Sequence, residues 1–114
     1  MELGRAAFEA LVERALDEIP DEIAALVHNV VVLVEDHAPD DDPDLLGVYD
    51  GVSLVERGSD HTGLPDRITI FRRPLLALCA DEADLVREVR ITVVHEIAHH
   101  FGIDDARLHQ LGYG

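Results

Sequence analysis

The sequence predicts a single α+β domain over residues 1–114, in which a small mixed β-sheet is packed with helices. Two kinds of pattern support this class. Some segments repeat apolar residues at spacings of three and four, which is typical of helices, whereas others are β-branched or alternate between apolar and polar. The chain has 114 residues, 47% of them hydrophobic, which suits one globular domain with one core.

The first segment predicts an amphipathic helix that ends at Pro20. Its apolar residues share one helical face: Phe8, Leu11, Val12, Ala15, Leu16 and Ile19. Asp21-Glu22 and the apolar residues after it predict a second short helix. The continuous apolar run Val30–Val34 then predicts a strand that is covered on both faces.

The next part of the chain predicts loops, a hairpin and a second strand. The acidic segment His37–Asp44 lacks the ligand pattern of an EF-hand and predicts a solvated connection. Leu45–Val55 predicts a hairpin around the turn pair Asp50-Gly51. Arg57–Pro65 predicts a loop, and the alternating Arg67–Phe71 predicts a strand.

The C-terminal part predicts two further helices. Pro74 is expected to begin a short helix. Asp81 or Asp84 can cap a longer helix, which is expected to continue to Phe101. Gly102 is a natural residue for ending it.

Composition narrows the class of function. The net charge of −15 argues against binding to nucleic acid or to anionic membranes, because phosphate groups attract basic surfaces. No apolar run approaches the length of about 20 residues that spans a bilayer, and the N-terminal segment has no signal region, so we expect a cytoplasmic protein. The single cysteine, Cys79, excludes an internal disulfide and is expected to be buried as a small hydrophobic residue.

Residues 95–99 form an H-E-x-x-H motif. Two histidines four positions apart lie on one face of a helix, about one turn apart, so that His95 and His99 can bind one zinc ion. Glu96 is rotated by about 100° from His95 and can take a proton from a water molecule beside the metal. The alternative is that these are core histidines held by hydrogen bonds.

The residues after the motif offer a third zinc ligand. The full pattern is H-E-x-x-H-x-x-G-x-x-D, in which Asp105 holds the position of a third histidine. Gly102 can adopt a positive φ angle and turn the chain back, so that Asp105 faces the two histidines. Asp104 and His109 remain alternatives, whereas His100 is expected to pack in the core.

These residues resemble the short bacterial zincin-like metallopeptidases, also called minimal zincins. The resemblance is strongest over Thr92–Leu108 and extends more loosely to Gly63–Ile68, Arg73-Pro74 and Val31–Asp36. It implies an α+β fold with the motif on a central buried helix, and one Zn²⁺ ion held by the following ligands: His95, His99 and Asp105. Larger metzincins support the metal with a methionine turn, but the only methionine here is Met1.

The resemblance implies a zinc-dependent peptidase with Glu96 as its general base and a peptide or protein as its substrate. Zincins usually hold the substrate as an added strand at a sheet edge, and Arg67–Phe71 is the expected edge. Tyr113 is expected to be a packing group. A non-catalytic zinc-binding module of the same fold is the main alternative, although such a module has no use for Glu96. A zinc-dependent ribonuclease of the three-histidine type would carry glycine at that position.

Overall fold

A computed structural model describes residues 1–27, 29–51 and 65–113. Within these ranges the chain forms five helices and three strands. In chain order they are α1 (Arg5–Asp17), α2 (Asp21–Ala24), β1 (Val30–Glu35), β2 (Gly47–Asp50), β3 (Asp66–Phe71), α3 (Arg72–Leu78), α4 (Glu82–His100) and α5 (Asp105–Gln110). The second arm of the predicted hairpin over Leu45–Val55, and most of the predicted loop Arg57–Pro65, lie outside the described residues. No helix in the described ranges is long and apolar enough to cross a membrane.

The three strands form a mixed sheet in the order β1-β3-β2. β1 runs parallel to β3, whereas β2 is antiparallel to it. This confirms the predicted small mixed sheet with helices. The prediction that Arg67–Phe71 forms a free edge is wrong, because β3 lies between the other two strands and its backbone groups are paired on both sides.

β1 is covered on one face only, which corrects the prediction that both faces are covered. Val34 is buried, whereas Val31 and Leu33 are 39% and 42% exposed. Successive side chains of a strand point to opposite faces of the sheet, so these two share the open face. Apolar content alone does not distinguish a strand buried on both faces from one with an exposed apolar face.

The core lies between the sheet and the helices, with α1 and the sheet packed against α4. On α1 the buried residues are Phe8, Val12 and Ala15, which confirms the predicted apolar face. α4 contributes the largest group of buried side chains: Leu85, Val86, Val89, Thr92, Val93, Val94, Ile97 and Ala98. Cys79 is also buried beside this core, as predicted.

The ends of α4 have the predicted capping chemistry. The Asp81 side chain accepts a hydrogen bond from the backbone N–H of Asp84 at 2.8 Å, which satisfies one free donor of the first turn. At the other end Gly102 adopts a φ of 74°. Because an L side chain is strained in this left-handed conformation, glycine suits the turn that leads from α4 to α5.

Candidate metal centre

The three residues of the motif that carry chemistry all lie in the last turns of α4. His95 and Glu96 are half-buried, whereas His99 is exposed. The imidazole rings of His95 and His99 have their centroids 6.0 Å apart and are tilted by 58°. The four-residue spacing therefore brings the two rings to neighbouring positions on one side of the helix.

The distance between these rings is close to that of two ligands of one metal ion. A zinc ion about 2.0–2.1 Å from a ring nitrogen lies about 3.2 Å from that ring's centroid, so two rings that share a tetrahedral ion have centroids about 5.2 Å apart. The observed 6.0 Å exceeds this separation by about 0.8 Å, which a small change of side-chain rotamer removes. Imidazole nitrogen is also among the usual zinc ligands. His95 and His99 therefore have the chemistry of zinc ligands and lie near the spacing that a shared ion requires.

Glu96 is held by the neighbouring strand. Its Oε1 accepts a hydrogen bond from the backbone N–H of Tyr49 at 3.2 Å. The backbone N–H of Phe71 donates to the carbonyl of Leu46, so the backbone groups of Leu46 face β3. Backbone groups alternate in direction along an antiparallel strand. The backbone N–H and C=O groups of Gly47 and Tyr49 therefore point away from β3. Among the described residues no strand lies beyond β2, which therefore presents its outer edge to Glu96.

His95, Glu96 and His99 line one open cleft of about 410 Å³. Its walls come from one face of α4 and from the segment that leads into β2. Asp42, Asp44 and Glu88 add carboxylates to the same lining. The acidic loop is thus a connection, as predicted, but sequence analysis missed that it borders the candidate site. No spacing in the sequence relates the loop to the motif, because they meet through the packing of β2 against α4.

The candidate third ligands lie on and around α5. Asp105 is the first residue of that helix and is exposed. Asp104 caps the helix, because its Oδ1 accepts a hydrogen bond from the backbone N–H of Arg107 at 2.9 Å. His109 is also exposed. Among the residues in the described ranges, no three His, Cys, Asp or Glu side chains lie together as a metal site, so Asp105 does not join the two histidines here.

Similarity to known proteins shows the family to which this chain belongs. The model of the family described as zincin-like metallopeptidase matches residues 27–114. The chain belongs to this zincin-like metallopeptidase family. The match confirms the resemblance drawn from the motif and its surroundings. Among curated proteins, none matches the chain.

A solved structure is similar to this zincin-like chain over most of its length. It is a conserved hypothetical protein from T. thermophilus with 26% sequence identity and a TM-score of 0.54. The match covers 87% of this chain and 94% of the other. The two proteins are therefore of similar extent and share the fold.

One aromatic contact in this zincin-like chain explains the position of His100. Its ring stacks on Tyr49 with centroids 4.0 Å apart and an angle of 19° between the planes. The Tyr49 hydroxyl donates to Oδ2 of the buried Asp66 at 2.6 Å. The prediction that His100 packs in the core is wrong, because the residue is exposed and stacks on Tyr49 at the end of α4. Tyr49 links the end of α4 to the sheet, a role that its sequence position alone did not indicate.

Proposed function

We propose that this zincin-like chain is a zinc-dependent peptidase that hydrolyses peptide bonds. The observation that carries the proposal is that His95, Glu96 and His99 line one cleft beside the outer edge of β2. Two imidazoles and a neighbouring carboxylate are the groups that metal-assisted hydrolysis requires. The family supports the same class of chemistry.

The proposed zinc ligands are His95, His99 and Asp105. The two histidines are supported by the spacing of their rings. Asp105 is supported by its position in the motif, three residues after Gly102. Zinc, when bound, acts as a Lewis acid that polarises a carbonyl group and lowers the pKa of a water molecule.

Glu96 is the proposed general base. Its carboxylate removes a proton from the water molecule that attacks the peptide carbonyl carbon, and then delivers this proton to the nitrogen as the C–N bond breaks. The hydrogen bond from Tyr49 N–H to Oε1 holds the carboxylate beside β2. One carboxylate oxygen is thereby oriented, and the other remains for proton transfer.

The outer edge of β2 is the proposed binding site for the substrate backbone. Gly47 lines the cleft and directs its backbone groups away from β3, and an extended peptide can pair with such groups as an added strand. β2 thus replaces Arg67–Phe71 as the edge beside the candidate site. The open cleft alongside leaves room for the side chains of the substrate.

A matched set of variants tests the proposal. The protein is loaded with zinc, and cleavage of a fluorogenic peptide library is compared between wild type and Glu96→Gln. Turnover should fall by about 10²–10⁴-fold with zinc content unchanged, because glutamine has the shape of glutamate but cannot accept the proton. His95→Ala should lose stoichiometric zinc.

Two results would contradict the proposal in different ways. Equal turnover in wild type and Glu96→Gln would favour a non-catalytic zinc-binding module. Stoichiometric zinc retained in His95→Ala would show that the ion is held elsewhere. Equilibrium unfolding of each variant serves as the control for folding.

A further inference from the structure

We infer that the outer edge of β1 is a docking site for an extended segment of another protein, one that carries an aliphatic anchor residue and basic residues. β1 is the end strand of the sheet, on the opposite side from β2. Among the described residues no strand pairs with its outer edge. A strand edge of this kind presents N–H and C=O groups to which another chain can add as a further strand.

The register of β1 shows which of its backbone groups face outward. The N–H of Asp66 donates to the carbonyl of Asn29 at 2.9 Å, so this carbonyl faces β3. Backbone groups alternate in direction along a strand, so every second residue from the next one on faces outward: Val30, Val32 and Val34. The guanidinium of Arg5 on α1 donates to the Val34 carbonyl, which confirms this direction. Within the described residues, the other outward groups remain for an added strand.

A groove between α1 and β1 lies directly beside these outward groups. Arg5 near the start of α1 reaches the end of β1, whereas Leu16 near the end of α1 lines the groove beside Val30, so the two elements run in opposite directions. The groove has a volume of about 540 Å³. Side chains alternate between the two faces of a sheet, so a strand added here would direct every second side chain toward α1.

An apolar pocket continues the groove near the start of β1. Its volume is about 190 Å³, and it shares Leu16, Val30 and Val32 with the groove. All of the described residues that line the pocket are aliphatic. The residues of its floor are almost completely buried: Ile68, Val93 and Ile97. A cavity of about 150 Å³ with such a lining stays dry and binds a molecule of the size of benzene, so this pocket fits an aliphatic side chain such as leucine.

The charge of the groove identifies the partner as basic. Among the residues that line it, three are acidic and one is basic: Glu9, Glu13, Glu35 and Arg5. Arg5 pairs with Glu9 at 3.1 Å, so the excess negative charge lies on Glu13 and Glu35. A second copy of this chain is poorly suited to the groove, because Val30–Glu35 has no basic residue and the chain has a net charge of −15. The partner is therefore an extended basic segment of a different protein.

A designed peptide tests the inference. The probe is an acetylated and amidated heptapeptide in which lysine alternates with threonine, except for one central leucine. The zinc-loaded Glu96→Gln protein is used, so that no peptidase activity consumes the probe. Binding should shift the amide ¹H–¹⁵N signals of Val30, Val32 and Val34 until they saturate. Replacement of the leucine by alanine should weaken binding at least about tenfold, because less apolar surface is buried, and N-methylation of every amide of the probe should weaken it at least about fivefold.

Matched variants separate the parts of the site. Ala24 lines the rim of the pocket, and Ala24→Leu should fill part of it and reduce the preference for leucine over alanine in the probe at least about threefold. Glu13→Gln with Glu35→Gln should weaken binding about three- to tenfold, because two attractions to lysine are lost. Glu82→Gln with Asp41→Asn is the control: it removes the same charge outside the groove and should weaken binding less than about twofold at about 0.15 M salt.

Four results would overturn the inference. They are the absence of saturable shifts with up to about 1 mM probe, shifts at Tyr49 in place of the β1 signals, equal binding of the N-methylated probe, and a dimer in which the Val32 amide is already protected from exchange. The first three are measured on a folded protein without the groove variants. No readout uses cleavage, so a protein that binds the probe at β1 but shows no Glu96-dependent cleavage would refute the proposed function and support this inference.

Discussion

Gly47 of β2 packs closely against Thr92 of α4, and Gly47→Ala tests whether this close packing places the strand beside Glu96. A methyl group built on Gly47 would lie 2.9 Å from Cγ2 of Thr92 and 3.1 Å from the carbonyl oxygen of Thr69. Carbon atoms in ordinary contact lie about 3.5–4.0 Å apart. The strand and the helix must therefore separate by at least about 0.6 Å to accept the new methyl group.

Two consequences of this separation can be measured. Over-packing at a buried position typically lowers the free energy of unfolding by about 1–3 kcal/mol. If β2 moves directly away from α4, the distance between Tyr49 N and Glu96 Oε1 grows from 3.2 Å to about 3.8 Å. That hydrogen bond is then lost, so the amide of Tyr49 should exchange faster with solvent.

Urea unfolding followed by far-UV circular dichroism measures the first effect, and amide hydrogen exchange measures the second. Thr92→Ser is the matched background, because it removes Cγ2 and keeps the hydroxyl. In that background Gly47→Ala should be less destabilising by at least about 0.5 kcal/mol, the coupling expected of residues in contact. Equal losses of stability in both backgrounds, or no loss in the single variant, would refute the reasoning.

Three further predictions concern charge and burial. The hydrogen bond from Arg72 lowers the pKa of the Asp36 carboxyl in the folded protein. The pair therefore stabilises the fold at pH values above the pKa of an ordinary carboxyl group, and this stabilisation is lost as the pH falls through the lowered pKa of Asp36. Asp36→Asn should therefore reduce the free energy of unfolding at about pH 7 but not at about pH 2, and a difference that persists in acid would contradict this. Burial raises the pKa of the Cys79 thiol and keeps reagents away from it. Iodoacetamide should therefore label Cys79 in urea but not in the native protein, and labelling of the native protein would contradict this. On the proposed function, Glu88, which lines the same cleft as His95, should favour cationic peptides. Glu88→Gln should reduce the preference for arginine over glutamate substrates by about fivefold, and an unchanged preference would count against this role.

The helices could be predicted from the sequence because their signals are local. Phe8, Val12 and Ala15 repeat at helical spacing, and all three are buried in α1. Asp81 and Gly102 mark the ends of α4 by chemistry that depends only on nearby residues. The relative position of His95 and His99 could be predicted for the same reason, because both residues lie on one helix and are four residues apart.

The features that could not be predicted depend on which strands become neighbours. Arg67–Phe71 has the alternation of a half-buried strand, but alternation does not reveal whether a strand lies at an edge or in the middle of a sheet. The sequence did not predict the exposed face of β1, because Val31 and Leu33 are apolar residues of the kind that is usually buried. Asp105 is a related case: its spacing from Gly102 is local, but its distance from the histidines depends on the angle between α4 and α5.

Larger metzincins support the metal site with a methionine turn, whereas the only methionine of this sequence is Met1, which packs against the core. Two main-chain groups contact the motif in this chain. Tyr113 carbonyl holds His95 at 2.8 Å, and Tyr49 N–H holds Glu96 at 3.2 Å. Both are main-chain groups, so the residue types at these positions do not reveal them. A change of side chain at Tyr113 should therefore leave the contact between its carbonyl and His95 in place.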